Sequence, residues 1–174
     1  MVLLFHGSAV AVDGVAYLFI AKSGTGKSTH TRLWREMLGE RAVMVNDDKP
    51  FLRVTAEEIL VYGSPWNGKH RLGRNTIVPL RSICILERGA QNRIERISAG
   101  KVLPALLQQS NRPANAAMVP KYMELLDAVA SRVDFYRMQC NIEMEAASIS
   151  FRTMSAEKMT EIMDLDTVST PIIV

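Results

Sequence analysis

Ala21-Lys22-Ser23-Gly24-Thr25-Gly26-Lys27-Ser28 decides the reading of this chain. An apolar run, Val15-Ala16-Tyr17-Leu18-Phe19-Ile20, precedes it, and a stretch with helical periodicity, residues 28–38, follows. This strand–loop–helix order is the context of a phosphate-binding loop. Glycines let the backbone curl so that successive N–H groups point at phosphate oxygens, and the helix N-terminus adds its positive dipole end. Ser23, Gly24, Thr25, Gly26, Lys27, Ser28 and Thr29 are the expected nucleotide contacts. Lys27 would reach the β- and γ-phosphates of ATP, and the Ser28 hydroxyl would ligate Mg²⁺. Ala21 stands where the first glycine of the usual G-x-x-x-x-G-K-[ST] pattern sits, so the flanking strand and helix carry the assignment.

Working outward, Asp13-Gly14 is a tight-turn signal, so residues 8–12 and 15–20 are expected to form a hairpin, with Gly7 at a bend after residues 2–6. Leu33, Trp34, Met37 and Leu38 give the following helix its apolar face; Ser28-Thr29 would cap it and Gly39 end it. Ala42-Val43-Met44-Val45 reads as a buried strand running into Asn46-Asp47-Asp48. A phosphate loop needs a carboxylate at a strand end for Mg²⁺. Here the separation from Lys27 is 47 − 27 = 20 residues, which leaves room for one helix only. Side chains alternate along a strand, so one acid can face the metal and the other an acceptor hydroxyl. Asp47 is favoured as the base and Asp48 as the metal-associated acid, with the exchange of the two left open.

The segments His6-Gly7, Asp13-Gly14, Ser23-Gly24-Thr25-Gly26-Lys27-Ser28 and Asn46-Asp47-Asp48 together resemble the catalytic domain of HPr kinase/phosphorylase, over residues 5–48. That family shares its nucleotide-binding fold with phosphoenolpyruvate carboxykinase. The resemblance implies an α/β fold with a mixed β-sheet. By the same resemblance His6 matches the family's active-site histidine, Lys27 and Ser28 its phosphate- and metal-binding residues, and Asp47 and Asp48 its acidic pair. A neighbouring Asp would raise the pKa of His6 and fix its tautomer. His-Gly begins at residue 6, so the separate N-terminal domain of typical family members is not expected here.

Farther along, residues 51–54 and 59–62 read as a strand pair, 83–86 as a core strand, and 93–97 as a more exposed one. Residues 63–75 form a long basic loop with Gly63, Gly68 and Gly73; Lys69, Arg71 and Arg74 are candidate contacts to an anionic acceptor, and Trp66 could stack on adenine, wall the pocket or anchor the loop to the core. A helix is expected from Ser98 to about Gln109, with Pro104 awkward in its interior. Residues 122–132 read as a helix, 135–140 as a strand, and Asn141 as the cap of a last helix. Arg81 and Arg88 flank the core strand and are read as surface or local-pairing residues, and the later methionines as core filling.

The 174 residues, 48% hydrophobic and without a repeat or linker, suit a single domain over 1–174. A net charge of +3 is too small to argue for nucleic acid. No stretch approaches the roughly 18 apolar residues of a membrane span, and residues 1–5 read as a strand rather than a signal peptide. Cys84 and Cys140 lack metal-ligand spacing and read as free, buried thiols of a cytoplasmic protein. The apolar tail, residues 171–174, could add a strand to this sheet or a neighbour's, so a homo-oligomer stays open. The function expected is transfer of the γ-phosphoryl group of ATP to a hydroxyl, seryl in type, on a protein, peptide or small molecule. The alternative is a nucleotide-dependent switch; the tandem acids favour the kinase, because a switch needs only one metal carboxylate.

Overall fold

The computed structural model describes residues 2–66 and 75–165. It is a mixed α/β fold built on a curled mixed sheet, the class expected from the sequence. The hairpin forms as read: β2 (Gly7–Val12) and β3 (Val15–Ile20) pair antiparallel, closing at Val12 opposite Val15. Asp13 and Gly14 both take positive φ, 50° and 87°, as a two-residue turn that matches the strand twist requires. The N-terminal stretch is two strands, because β1 (Val2–Leu4) leaves the hairpin to pair with β5 (Phe51–Val54).

Helix α1 (Lys27–Leu38) buries Leu33 and Trp34 and packs Met37 and Leu38 at the margin of the same cluster. Its cap differs from the expectation. Gly26 caps it at φ 119°, with no side-chain hydrogen bond, so Ser28 and Thr29 lie inside the first turn with their hydroxyls available for other work. Gly39, at φ 60°, ends the helix. Strand β4 (Ala42–Asn46) then pairs antiparallel with β2. The register slips between Ala9, opposite Asn46, and Val10, opposite Met44, so Val45 is an extra residue on β4.

Strand β6 (Ile59–Tyr62) pairs with β5, as the sequence suggests. Strand β7 (Ile77–Arg88) is much longer than its apolar centre: its first residues pair with β6, and from Ser82 onward it runs parallel to β9 (Asp134–Cys140). On its other edge β7 runs parallel to β3, so β3, β7 and β9 share one direction. Strand β8 (Arg93–Ile97) closes the edge against β9.

Two apolar cores lie on the two faces. Trp34 and Phe19, with Met138 and Met154, fill the face under α1 and α4 (Met144–Leu165). Leu18, Ile20 and Ile83 pack against α2 (Leu103–Gln109) and α3 (Val119–Arg132) on the other. Pro104 proves to start α2 rather than interrupt a longer helix, after a short 3₁₀ turn at Ala99–Lys101. Cys84 is buried and Cys140 only half-buried, and both are free. Among the described residues no helix is long and apolar enough to cross a membrane.

Candidate active site

The loop between β3 and α1 is held open by two left-handed glycines, Gly24 at φ 76° and Gly26 at φ 119°. An L side chain at either would strain the backbone, and the space above each is empty to 4 Å. Lys27 is buried and donates to the Ala21 carbonyl at 3.1 Å. Burial pulls its pKa below the usual lysine value, opposed by Asp48 and then Asp47.

His6, Ser8, Ser23, Gly24, Gly26, Lys27, Ser28, Thr29, Asp47 and Asp48 line one cleft of about 500 Å³. Thr25 turns away and lines the cavities to either side. Asp47 is 8% exposed and accepts the Ser8 hydroxyl proton at 2.6 Å. Ser8 Oγ also lies 2.8 Å from the Thr31 hydroxyl, which itself reaches the Ser28 carbonyl at 3.2 Å. Asp47 is thereby tied to the first turns of α1, and it shares a further cleft with Ser28 and Thr29. Asp48 is half-exposed and stands 4.0 Å from His6 Nε2.

The expected rise in the pKa of His6 is reversed. Burial and then the Lys27 cation lower it, outweighing Asp48 and a side-chain hydrogen bond with Gln109. A lowered value leaves the ring neutral at neutral pH, able to accept a proton rather than act as a fixed cation.

Fit to Mg²⁺ and a triphosphate rests on the donors present. Ser28 Oγ makes no hydrogen bond among the described residues, and two carboxylates face the loop. No cluster of three or more acidic, histidine or cysteine ligands occurs among the described residues. Mg²⁺ sites beside a nucleotide commonly use one or two carboxylates together with substrate phosphates.

Several residues escaped the sequence reading. Arg88, read as a surface residue, reaches across from the end of β7 and donates to the Gly24 carbonyl. Arg81 does pair locally, 3.7 Å from Asp134. Asn46 is wholly buried and holds the acid-bearing turn: its Oδ1 accepts from Asp48 N at 3.0 Å and Lys49 N at 2.7 Å. Its Nδ2 donates to the Ser64 and Trp66 carbonyls, both at 3.2 Å, which fastens the start of the long loop to the acids. Asx-turn geometry after a strand was the available signal. Trp66 is 52% exposed and meets Phe51 edge-on, 5.9 Å between centroids. Lys69, Arg71, Arg74 and the tail at 171–174 lie outside the described residues.

No protein-family model matches the chain, and no curated protein matches it. Among solved structures, the HPr(Ser) kinase/phosphatase from Coxiella burnetii is similar, with a TM-score of 0.50 and 11% identity. The superposition covers 94% of this chain and 94% of that one. At this identity the likeness is one of fold, and it extends well beyond the 5–48 segment on which the sequence resemblance rests.

Proposed function

We propose that this protein is an ATP- and Mg²⁺-dependent kinase that moves the γ-phosphoryl group to a hydroxyl of seryl type. One observation carries the reading: a phosphate loop with Lys27 and Ser28 faces two carboxylates and a neutral histidine across a single cleft. A fold similar to that of an HPr(Ser) kinase/phosphatase agrees with it. Two free cysteines suit the reducing conditions of a cytoplasm.

In this mechanism the loop amides and Lys27 hold the phosphates and offset the charge that spreads over the transferring group. Ser28 and Asp47 would hold the metal: they line one cleft beside the first turn of α1, and Asp47 is kept in place by Ser8. The metal they would hold would supply positive charge against the phosphates. Asp48 is the proton acceptor, being the more open acid and the one beside His6. This assigns the two acids in the opposite sense to the one favoured from sequence. The acceptor oxygen attacks phosphorus in line, its proton passes to Asp48, and the bond to the bridging oxygen breaks as ADP leaves with the electron pair.

The test is incubation with γ-labelled ATP, Mg²⁺ and acceptor pools of serine, serine peptides and cell extract. Asp48→Asn should lower label transfer about 10²- to 10⁴-fold with ATP binding kept. Asp47→Asn should raise the Mg²⁺ concentration needed. Full transfer by Asp48→Asn would remove it as base, and tight ATP binding with no transfer to any pool would favour a switch.

A further inference from the structure

A cavity of about 600 Å³ lies on the α2 side of the phosphate loop, over the ends of the parallel strands β3, β7 and β9. That is where open α/β sheets bind ligands, and the volume is that of a small-molecule site, about 300–1,000 Å³. Its apolar surface comes from Ile20, Ile85 and Pro104, enough to cover a short carbon skeleton. Its charge is one-sided. Lys22, Arg88, Lys101 and Arg137 line it, against the single acid Glu87.

Arg88 donates to the Gly24 carbonyl and Arg137 pairs with Glu87, while the two lysines, Lys22 and Lys101, have no acid partner among the described residues. Arg137 Nε is buried without a hydrogen-bond partner, its nearest acid being Glu87 Oε1 at 3.5 Å. Glu95 stands opposite Arg137 in the β8–β9 pair but does not line the cavity. The Arg137 side chain is 42% exposed, so its outer guanidinium N–H groups can donate to an anionic ligand in the cavity.

The cavity is joined to the cleft of transfer through two of its residues, although cavity and cleft share no lining residue. Ala21, whose carbonyl holds Lys27 Nζ, lines it. So does Gln109, whose carbonyl accepts the His6 N–H at 2.7 Å. A nucleoside is uncharged and has no use for four cations. The cavity on the opposite side of the loop, about 530 Å³ and lined by His30, Asn141 and Ile142 with Arg88 as its one charged residue, suits that end of ATP.

We infer that the α2-side cavity binds the phosphoryl acceptor, and that this acceptor is a small molecule carrying its own anionic group, a carboxylate or phosphate, besides the reacting hydroxyl. The inference rests on the kinase reading. The anion would lie among Lys101, Arg137 and Lys22, with the hydroxyl directed past Gln109 toward Asp48. The new O–P bond forms on that oxygen, its proton goes to Asp48, and ADP leaves.

The experiment uses the small-molecule filtrate of a cell extract, split by anion exchange into anionic and neutral fractions, with γ-labelled ATP and the whole protein. Label should appear in the anionic fraction. In Lys101→Gln and Arg137→Gln the amount of that fraction giving half-maximal labelling should rise about tenfold, as expected for losing one charge-assisted contact, with maximal rate and ATP affinity kept. Phosphatase treatment of the fraction beforehand separates the two sources: phosphate acceptors are lost and carboxylates survive. Equal labelling of the neutral fraction, label on macromolecules alone, or unchanged half-saturation in both variants overturns the inference and leaves the kinase reading standing. No label anywhere, with MgATP bound, overturns both.

Discussion

His6 and His30 lie on two sides of the same phosphate loop, and both are driven below the ordinary histidine pKa with burial as the largest cause. The resemblance ends there. His6 faces a cleft and feels Lys27, Asp48 and Gln109. His30 sits on α1 at 2% exposure, bonded through Nε2 to Ser150 at 2.9 Å and tilted against Phe19, 4.8 Å between centroids. Trp34 donates to the same Ser150 oxygen at 2.8 Å. A depressed pKa therefore does not distinguish a working group from a structural one. Charged neighbours in an open cleft do, and a hydroxyl in an apolar core marks the opposite case.

The contrast is open to attack from both sides. Trp34→Ala should cost about 3–5 kcal/mol of stability, read by denaturant unfolding, because the ring packs on Tyr17, Phe19 and Phe151. A small loss would mean that the lower side is not the anchor of the loop. Lys27→Met should lower label transfer about 10³-fold without lowering the unfolding midpoint, since it removes a cation that burial disfavours. A folding defect instead would make Lys27 structural.

His30 supplies a pH signature. Burial pushes its folded pKa down from the ordinary 6.5 to about 4, so the unfolded chain binds the proton more readily between the two. Stability is then fully present above pH ~6.5 and falls on acidification toward pH ~4, by an amount on the order of 3 kcal/mol. His30→Phe should flatten that stretch of the stability curve, and a curve as steep as before would place the acid lability elsewhere. The smallest effect is that of Ser8→Ala. Freeing Asp47 from its donor should cost about tenfold in transfer, on the order of 1 kcal/mol, and raise the Mg²⁺ requirement in a titration.

What was legible in the sequence was local. The glycine pattern at 21–28, the Asp13-Gly14 turn and the apolar spacing of α1 are each fixed by neighbours a few residues apart, and each forms as read, apart from the cap at Gly26. The acids are reachable by counting because a single helix separates them from the loop. What was hidden depends on distant pairing. Arg88 meets Gly24 only because β7 runs parallel to β3, and Ser150 meets His30 only because α4 crosses α1. The loss of charge on His6 depends on burial and on the Lys27 cation, which lies 21 residues away in the chain. A side chain at Gly7 would stand 2.7 Å from Leu18 Cδ1, so no other residue lets the chain come so close.

The extra residue in β4 sets the phase of everything after it. With Val45 unpaired, Asn46 faces Ala9, and continuing the count brings Asp47 to Ser8 and Asp48 to Gly7, where Gly7 N meets Asp48 O at 3.0 Å. Were Val45 paired with Ala9 instead of bulged, every catalytic side chain would stay in the chain yet stand one place along. Asn46, a neutral amide, would then face Ser8, and Asp47 would take the position of Asp48. Loss of the bulge alone would thus disarm the cleft without altering any of its functional residues.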